Sequence, residues 1–167
     1  EIEFCQTNRG IVQIFADAQA KGELPQRITH NDTKIDNVLL DQDTDEVMCI
    51  VDLDTVMPGL IHYDFGDMVR TLTSPADEDE RDLDKVTMRM DFFDALAKGY
   101  LSEANDFLSE AEKGYLAQAG KVITFQLGVR FLTDHLNGDT YFRVHREGQN
   151  LDRARVQFKL VERMLEN

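Results

Sequence analysis

His30-Asn31-Asp32-Thr33-Lys34-Ile35-Asp36-Asn37, followed beyond a polar turn by Ile50-Val51-Asp52-Leu53-Asp54, decides how this 167-residue chain is read. The first segment emerges from Arg27-Ile28-Thr29 and runs into Val38-Leu39-Leu40. The stretch Asp41 to Glu46 then turns the chain into Val47 through Leu53. Two short β-rich runs around such a turn predict a hairpin, with Asp32 before it and Asp52 in its second strand. Asp32 and Asn37, five apart on a tight loop, face one cleft from two sides, and a buried strand directs Asp52 into it. Phosphoryl transfer needs such a set. One carboxylate orients the attacking hydroxyl and takes its proton late; an amide oxygen and a second carboxylate hold Mg²⁺ against a triphosphate.

Outward from the hairpin the pattern is helical. Phe4, Ile11, Ile14, Phe15 and Ala18 recur on one stripe until Gly22 and Pro25 break it. Pro58-Gly59 ends the hairpin unit, and Asp64 is a candidate N-cap for a short helix through Leu72. A helix from about Asp84 to Leu101 buries Val86, Phe93, Leu96 and Tyr100. Ser109 with Glu112 fits a capping box and starts a long helix to Leu136, closed by Asn137-Gly138. A last helix runs from about Leu151 to Leu165, with Leu151, Ala154, Phe158, Val161 and Leu165 inward. The expected fold is mainly α with one small β-hairpin, in a single domain over residues 1–167.

Composition narrows the classes. An apolar fraction of 42% and a charged fraction of 30% are those of a soluble globular chain. No apolar run reaches the roughly 18 to 20 residues that span a bilayer. The start, Glu1-Ile2-Glu3-Phe4, has no basic leader and opens inside a helical pattern, the expectation for a piece of a longer protein. Cys5 and Cys49 form no CxxC pair and read as buried, reduced thiols of a cytoplasmic protein. The net charge of −14 argues against nucleic acid, which needs clustered cations, and no membrane partner is indicated. A phosphate-handling enzyme can be this acidic if Mg²⁺ carries the positive charge to the site.

Other clusters carry less. Asp41, Asp43 and Asp45 imitate a calcium loop, but Glu46 stands where a glycine must turn the chain. The acidic residues 77–84 read as a solvated loop. Arg143, His145, Arg146, Arg153 and Arg155 form a basic cluster, either a solvated helix start or a substrate wall suited to sugar hydroxyls or phosphate. Tyr141 and Phe142 beside it either stack on a sugar face or fill the core. Asp54 is either a surface acid or a second metal or loop contact.

His-x-Asp-x₄-Asn followed by a hydrophobic-hydrophobic-Asp strand resembles the aminoglycoside phosphotransferase and choline kinase family, which shares the protein-kinase-like fold. Ile50 through Gly59, Tyr63-Asp64-Phe65-Gly66-Asp67, Phe131-Leu132-Thr133-Asp134-His135-Leu136 and Gln149-Asn150-Leu151-Asp152-Arg153 are similar to its N-acetylhexosamine 1-kinase branch. The resemblance covers the whole chain as a C-terminal catalytic lobe. It implies an ATP- and Mg²⁺-dependent kinase acting on a small-molecule hydroxyl, with Asp32 as catalytic base and Asn37 and Asp52 as metal and cofactor ligands. It further implies that His30 braces the loop, that Asp64 is a structural acid capping the helix and tethering the loop, and that Lys34 neutralises the transferred phosphoryl group or touches the substrate. Tyr141, Arg143, His145 and Arg146 are the candidate acceptor contacts. The Gly-rich loop and strand lysine of the family's N-terminal nucleotide-binding lobe are absent, so the fragment alone is expected to turn over little or nothing. A choline or aminoglycoside kinase, and a non-catalytic kinase-like binding module, are the alternatives.

Overall fold

The computed structural model describes residues 1–166. Six α-helices and four short strands follow in the order α1 (Ile2–Thr7), α2 (Gln13–Ala20), β1 (Arg27–Thr29), β2 (Val38–Leu40), β3 (Val47–Ile50), β4 (Met57–Gly59), α3 (Ile61–Thr73), α4 (Met90–Ala104), α5 (Glu110–Leu136) and α6 (Gln149–Glu166). The mainly helical class is as expected. The single N-terminal stripe is not one helix: a 3₁₀ turn, Arg9–Val12, separates α1 from α2. Phe15 and Ala18 still reach the core.

The hairpin forms as β2 against β3, with a bulge between Leu39 and Leu40. Two of its expected properties fail. The second strand ends at Ile50, so Asp52 lies beyond it, and every residue of β3 is exposed. Cys49 is therefore exposed, not buried, while Cys5 is half-buried. Pro58-Gly59 does not close the unit either. It forms β4, which pairs antiparallel with β1, Thr29 opposite Met57 and Arg27 opposite Gly59. Proline is tolerated there because a two-stranded sheet is all edge.

The helical part is a stack around α5. Ser109 and Glu112 complete the capping box at its start, and Gly138, at φ +89°, turns the chain out of its end. On one side α5 meets α3, and on the other α6. Phe15, Phe65, Val69, Leu116 and Val122 fill the first interface, and Phe125, Phe131, Phe158 and Val161 the second. Gly66 sets the α3–α5 distance: a Cβ there would meet the Ala119 carbonyl oxygen at 2.5 Å. Alanine is normally worth about 1 kcal/mol over glycine inside a helix. Here the clash with fixed backbone exceeds that gain, and Gly66→Ala is expected to lower stability by about 2 kcal/mol in urea unfolding.

The remaining helix boundaries differ from expectation for local reasons. Helix α3 is capped by Leu60, and Asp64 sits inside its first turn, not at its N-cap. Helix α4 starts at Met90 instead of Asp84, because Arg89 is drawn to the end of α3. Its backbone N–H donates to Thr73 O at 2.9 Å and its guanidinium to Leu72 O at 2.7 Å. Val86 is buried outside any α-helix, and Leu165, expected inward, is 51% exposed. The acidic loop is not simply solvated: Glu78 pairs with Arg70 and Arg153, and Asp79 with Arg146. Among the described residues no helix is long and apolar enough to cross a membrane.

Candidate active site

Two loops interlock where β1 ends and β3 ends. Asp64, on the first turn of α3, accepts the backbone N–H of His30 at 2.9 Å and of Asn31 at 2.7 Å, one on each carboxylate oxygen. Thr33 Oγ1 donates to the Asp64 carbonyl at 2.6 Å, so the loop is stitched to the helix from both sides of Asp32. Asn31 has φ +65° and its side chain bridges Thr29 and Thr55. It fits because Gly59 lies opposite, where any Cβ would collide with Thr29 Oγ1 and Asn31 Oδ1.

His30 joins the two loops. Its Nε2 lies 3.0 Å from Val51 O, and the Asp32 N–H donates to its Nδ1 at 3.3 Å. That pair of bonds selects the tautomer protonated at Nε2. Thr55 Oγ1 donates to His30 O at 2.6 Å, and Val51 N–H to Asn37 O at 2.9 Å. Asp32 and Asp52 are thus set by one hydrogen-bonded frame, not by a buried strand.

The Asp32 carboxylate is half-buried. Its Oδ2 accepts from Asn37 Nδ2 at 2.9 Å and pairs with Lys34 Nζ at 3.0 Å, while Oδ1 has no donor among the described residues. Partial burial pushes the carboxyl up, but Lys34 and Asn37 outweigh it and hold it below the ordinary carboxylate range. Its hydrogen bond to Asp32 raises Lys34 in turn, helped by the nearby charges of Asp52 and Asp67. At neutral pH both are therefore ionised.

Asn37 is 5% exposed, and its amide nitrogen is engaged by Asp32. Its oxygen therefore remains for another partner. Asp52 has φ +66°. A hydrogen bond with Asp54 and that residue's negative charge raise the Asp52 carboxyl, with Asp32 adding to the effect. Crowded carboxylates beside a neutral amide oxygen are a hard-oxygen set that fits Mg²⁺, which takes one or two protein ligands and completes its shell on phosphates and water. Among the described residues no group of three or more His, Cys, Asp or Glu side chains could hold a metal by itself.

Asp32 opens onto a cleft of about 260 Å³ lined by Tyr63, Asp67, Arg70, Gln126, Leu127 and Arg130. Arg70 is engaged by Asp67 at 2.8 Å, whereas Arg130 has no carboxylate partner among the described residues. The Arg130 guanidinium lies over the rings of Tyr141 and Phe142 and reaches Tyr141 Oη at 3.4 Å. It thereby links the Asp32 cleft to a second one holding Tyr141. Of the four candidate acceptor contacts, Tyr141 lines this second cleft and touches the Asp32 cleft only through Arg130. Arg143 and His145 are exposed, and Arg146 is ion-paired with Asp152 and Asp79. Sequence reasoning missed Tyr63, Asp67, Arg70, Gln126 and Arg130. The one available signal was Gln126 and Arg130, polar residues four apart and so on one face of the long helix.

A family model described as phosphotransferase enzyme family (APH) matches residues 6–110, more than half of the chain, and that stretch holds both interlocked loops.

Proposed function

The chain belongs to this phosphotransferase enzyme family, and we propose that it is the catalytic lobe of an ATP- and Mg²⁺-dependent kinase for the anomeric hydroxyl of an N-acetylhexosamine. The observation that carries the reading is the Asp32 carboxylate, ionised, held on one oxygen and open on the other at the mouth of a cleft. An acceptor hydroxyl in that cleft donates to Oδ1 and is aligned for attack. A carboxylate of such low basicity receives the proton late, as a loose phosphoryl-transfer transition state requires. Lys34 keeps its charge beside Asp32 and offsets negative charge on the phosphoryl group in flight. Asn37 Oδ1 and the Asp52 carboxylate would hold Mg²⁺. Bound there, the ion neutralises the phosphates and orients them.

Arg130 favours a sugar over choline. A guanidinium without a carboxylate partner among the described residues repels a quaternary ammonium but donates well to hydroxyl and amide-carbonyl oxygens, and the exposed Tyr141 beside it offers a ring face to a sugar. The nucleotide is completed by a further lobe of the whole protein, and the bare apolar face of β2–β3 is consistent with a covering partner of that kind.

The test is ADP release by the complete protein over an acceptor panel with Mg²⁺. N-acetylhexosamines with a free anomeric hydroxyl are expected to turn over, and choline, an aminoglycoside and a methyl N-acetylhexosaminide are not. Equal turnover of the methyl glycoside would exclude the anomeric position. Sugar or Mg·ATP binding without ADP release would identify a binding module instead.

A further inference from the structure

A buried carboxylate outside the two loops lies behind Tyr141. Asp134, near the end of α5, is 4% exposed. Its Oδ1 accepts the backbone N–H of Thr140 at 3.0 Å and of Tyr141 at 2.8 Å. Its Oδ2 accepts the N–H of Phe142 at 2.9 Å and Asn150 Nδ2 at 2.9 Å. Asn150, fully buried, also donates to Asp139 Oδ1 at 2.9 Å and accepts from Arg153 Nη1 at 3.0 Å. Gly138 and Asp139, both at positive φ, fold the chain back so that three consecutive amides converge on one carboxylate.

Helix termination does not require this arrangement. Asn137 and Gly138 already donate to the last carbonyls of α5. A buried anion costs free energy, and it is disfavoured at a helix C-terminus, where the helix dipole is negative. The carboxylate is compensated by the loop it holds, so its net effect is to fix the backbone of residues 140–142. That backbone carries Tyr141. Phe142 packs on Phe131 at 4.6 Å between ring centres, Tyr141 stands edge-on to Phe142 at 4.8 Å, and Arg130 covers both rings.

We propose that Asp134 is a positioning residue for acceptor recognition: by clamping the amides of 140–142 it holds Tyr141 against Arg130, the side chain shared by Tyr141's cleft and the one that opens at Asp32. The inference rests on the acceptor placement proposed above. Asp134→Asn tests it, because the amide keeps the shape but always turns an NH₂ group toward two of the donors that the carboxylate satisfied.

In the complete protein, the acceptor KM of Asp134→Asn is expected to rise about tenfold, while kcat and the KM for ATP stay within about twofold. An unchanged acceptor KM overturns the inference. So does a parallel loss in kcat and both KM values with a lowered melting temperature, which assigns Asp134 to fold maintenance alone. Tyr141→Ala, measured alongside, separates the two levels. If it raises the acceptor KM and Asp134→Asn does not, the clamp is wrong and the acceptor placement stands. If Tyr141→Ala leaves the acceptor KM unchanged, the placement fails and the role of Asp134 falls with it.

Discussion

Asp32→Asn in the complete protein is expected to lower kcat by about 10²–10⁴-fold, the span that a positioned general base contributes. The substitution is nearly isosteric. It keeps an acceptor oxygen toward Asn37 or Lys34 but removes the anion that aligns the hydroxyl and takes its proton. Asp32 contributes little to packing, because its loop is secured elsewhere, by Asp64, Thr33, His30 and Thr55. The melting temperature should therefore stay close to that of the parent. ADP release under saturating acceptor and Mg·ATP, read beside a thermal melt, checks both halves. Near-parent turnover would sink the proposed mechanism.

The largest effect on stability is expected at Glu112. Its side chain is buried at the start of α5 yet serves two distant elements. One oxygen accepts the Ser109 N–H at 2.8 Å in the capping box, and the two together accept Arg27 Nε and Nη2 at 2.6 and 2.8 Å, tying β1 to the helix. Only the Glu112 side of the pair is buried, Arg27 being 31% exposed, so the loss is discounted from that of a fully buried pair and Glu112→Ala should cost about 2–3 kcal/mol in urea unfolding. Glu112→Gln, which retains an acceptor for Ser109, should cost roughly half as much. A loss below about 1 kcal/mol for the alanine variant would show the pair to be dispensable.

The same carboxyl gives a pH signature. Its bond to Arg27 outweighs burial and, with the Ser109 bonds, holds it at about 2 instead of 4.5. Because the folded value is depressed, the contribution is complete above about pH 4.5 and is lost as pH falls toward 2. The Glu112→Gln variant should show a flatter acid limb over that interval.

The loop that carries Asp32 was legible because its logic is largely local. Asp32, Lys34 and Asn37 lie within six residues, and the frame around them uses Asn31, Thr33 and His30 from the same segment. The capping box at Ser109 and the stop at Gly138 were legible for the same reason. The β1–β4 pairing was not, since Pro58 argues against a strand and its partner Ile28 lies far back in the chain. The start of α4 was masked because Leu83, Val86 and Met90 fit helical spacing, while Leu83–Lys85 form only a 3₁₀ turn and Arg89, captured by the end of α3, is extended just before Met90. The cleft wall escaped detection because Tyr63, Arg70, Gln126 and Arg130 come from α3 and α5, and only packing those helices together brings them to Asp32. Side chains that act across elements leave no spacing to read.

The backbone at Asp52 carries a consequence for anyone who would evolve this protein. A non-glycine residue at φ +66° costs about 1 kcal/mol that glycine would not. On the proposed role, that residue also holds the metal. A selection that rewards thermal robustness alone would drift toward glycine at 52 and extinguish turnover, while one that rewards product would retain the strained aspartate. Position 52 is where durability and chemistry pull the lineage in opposite directions.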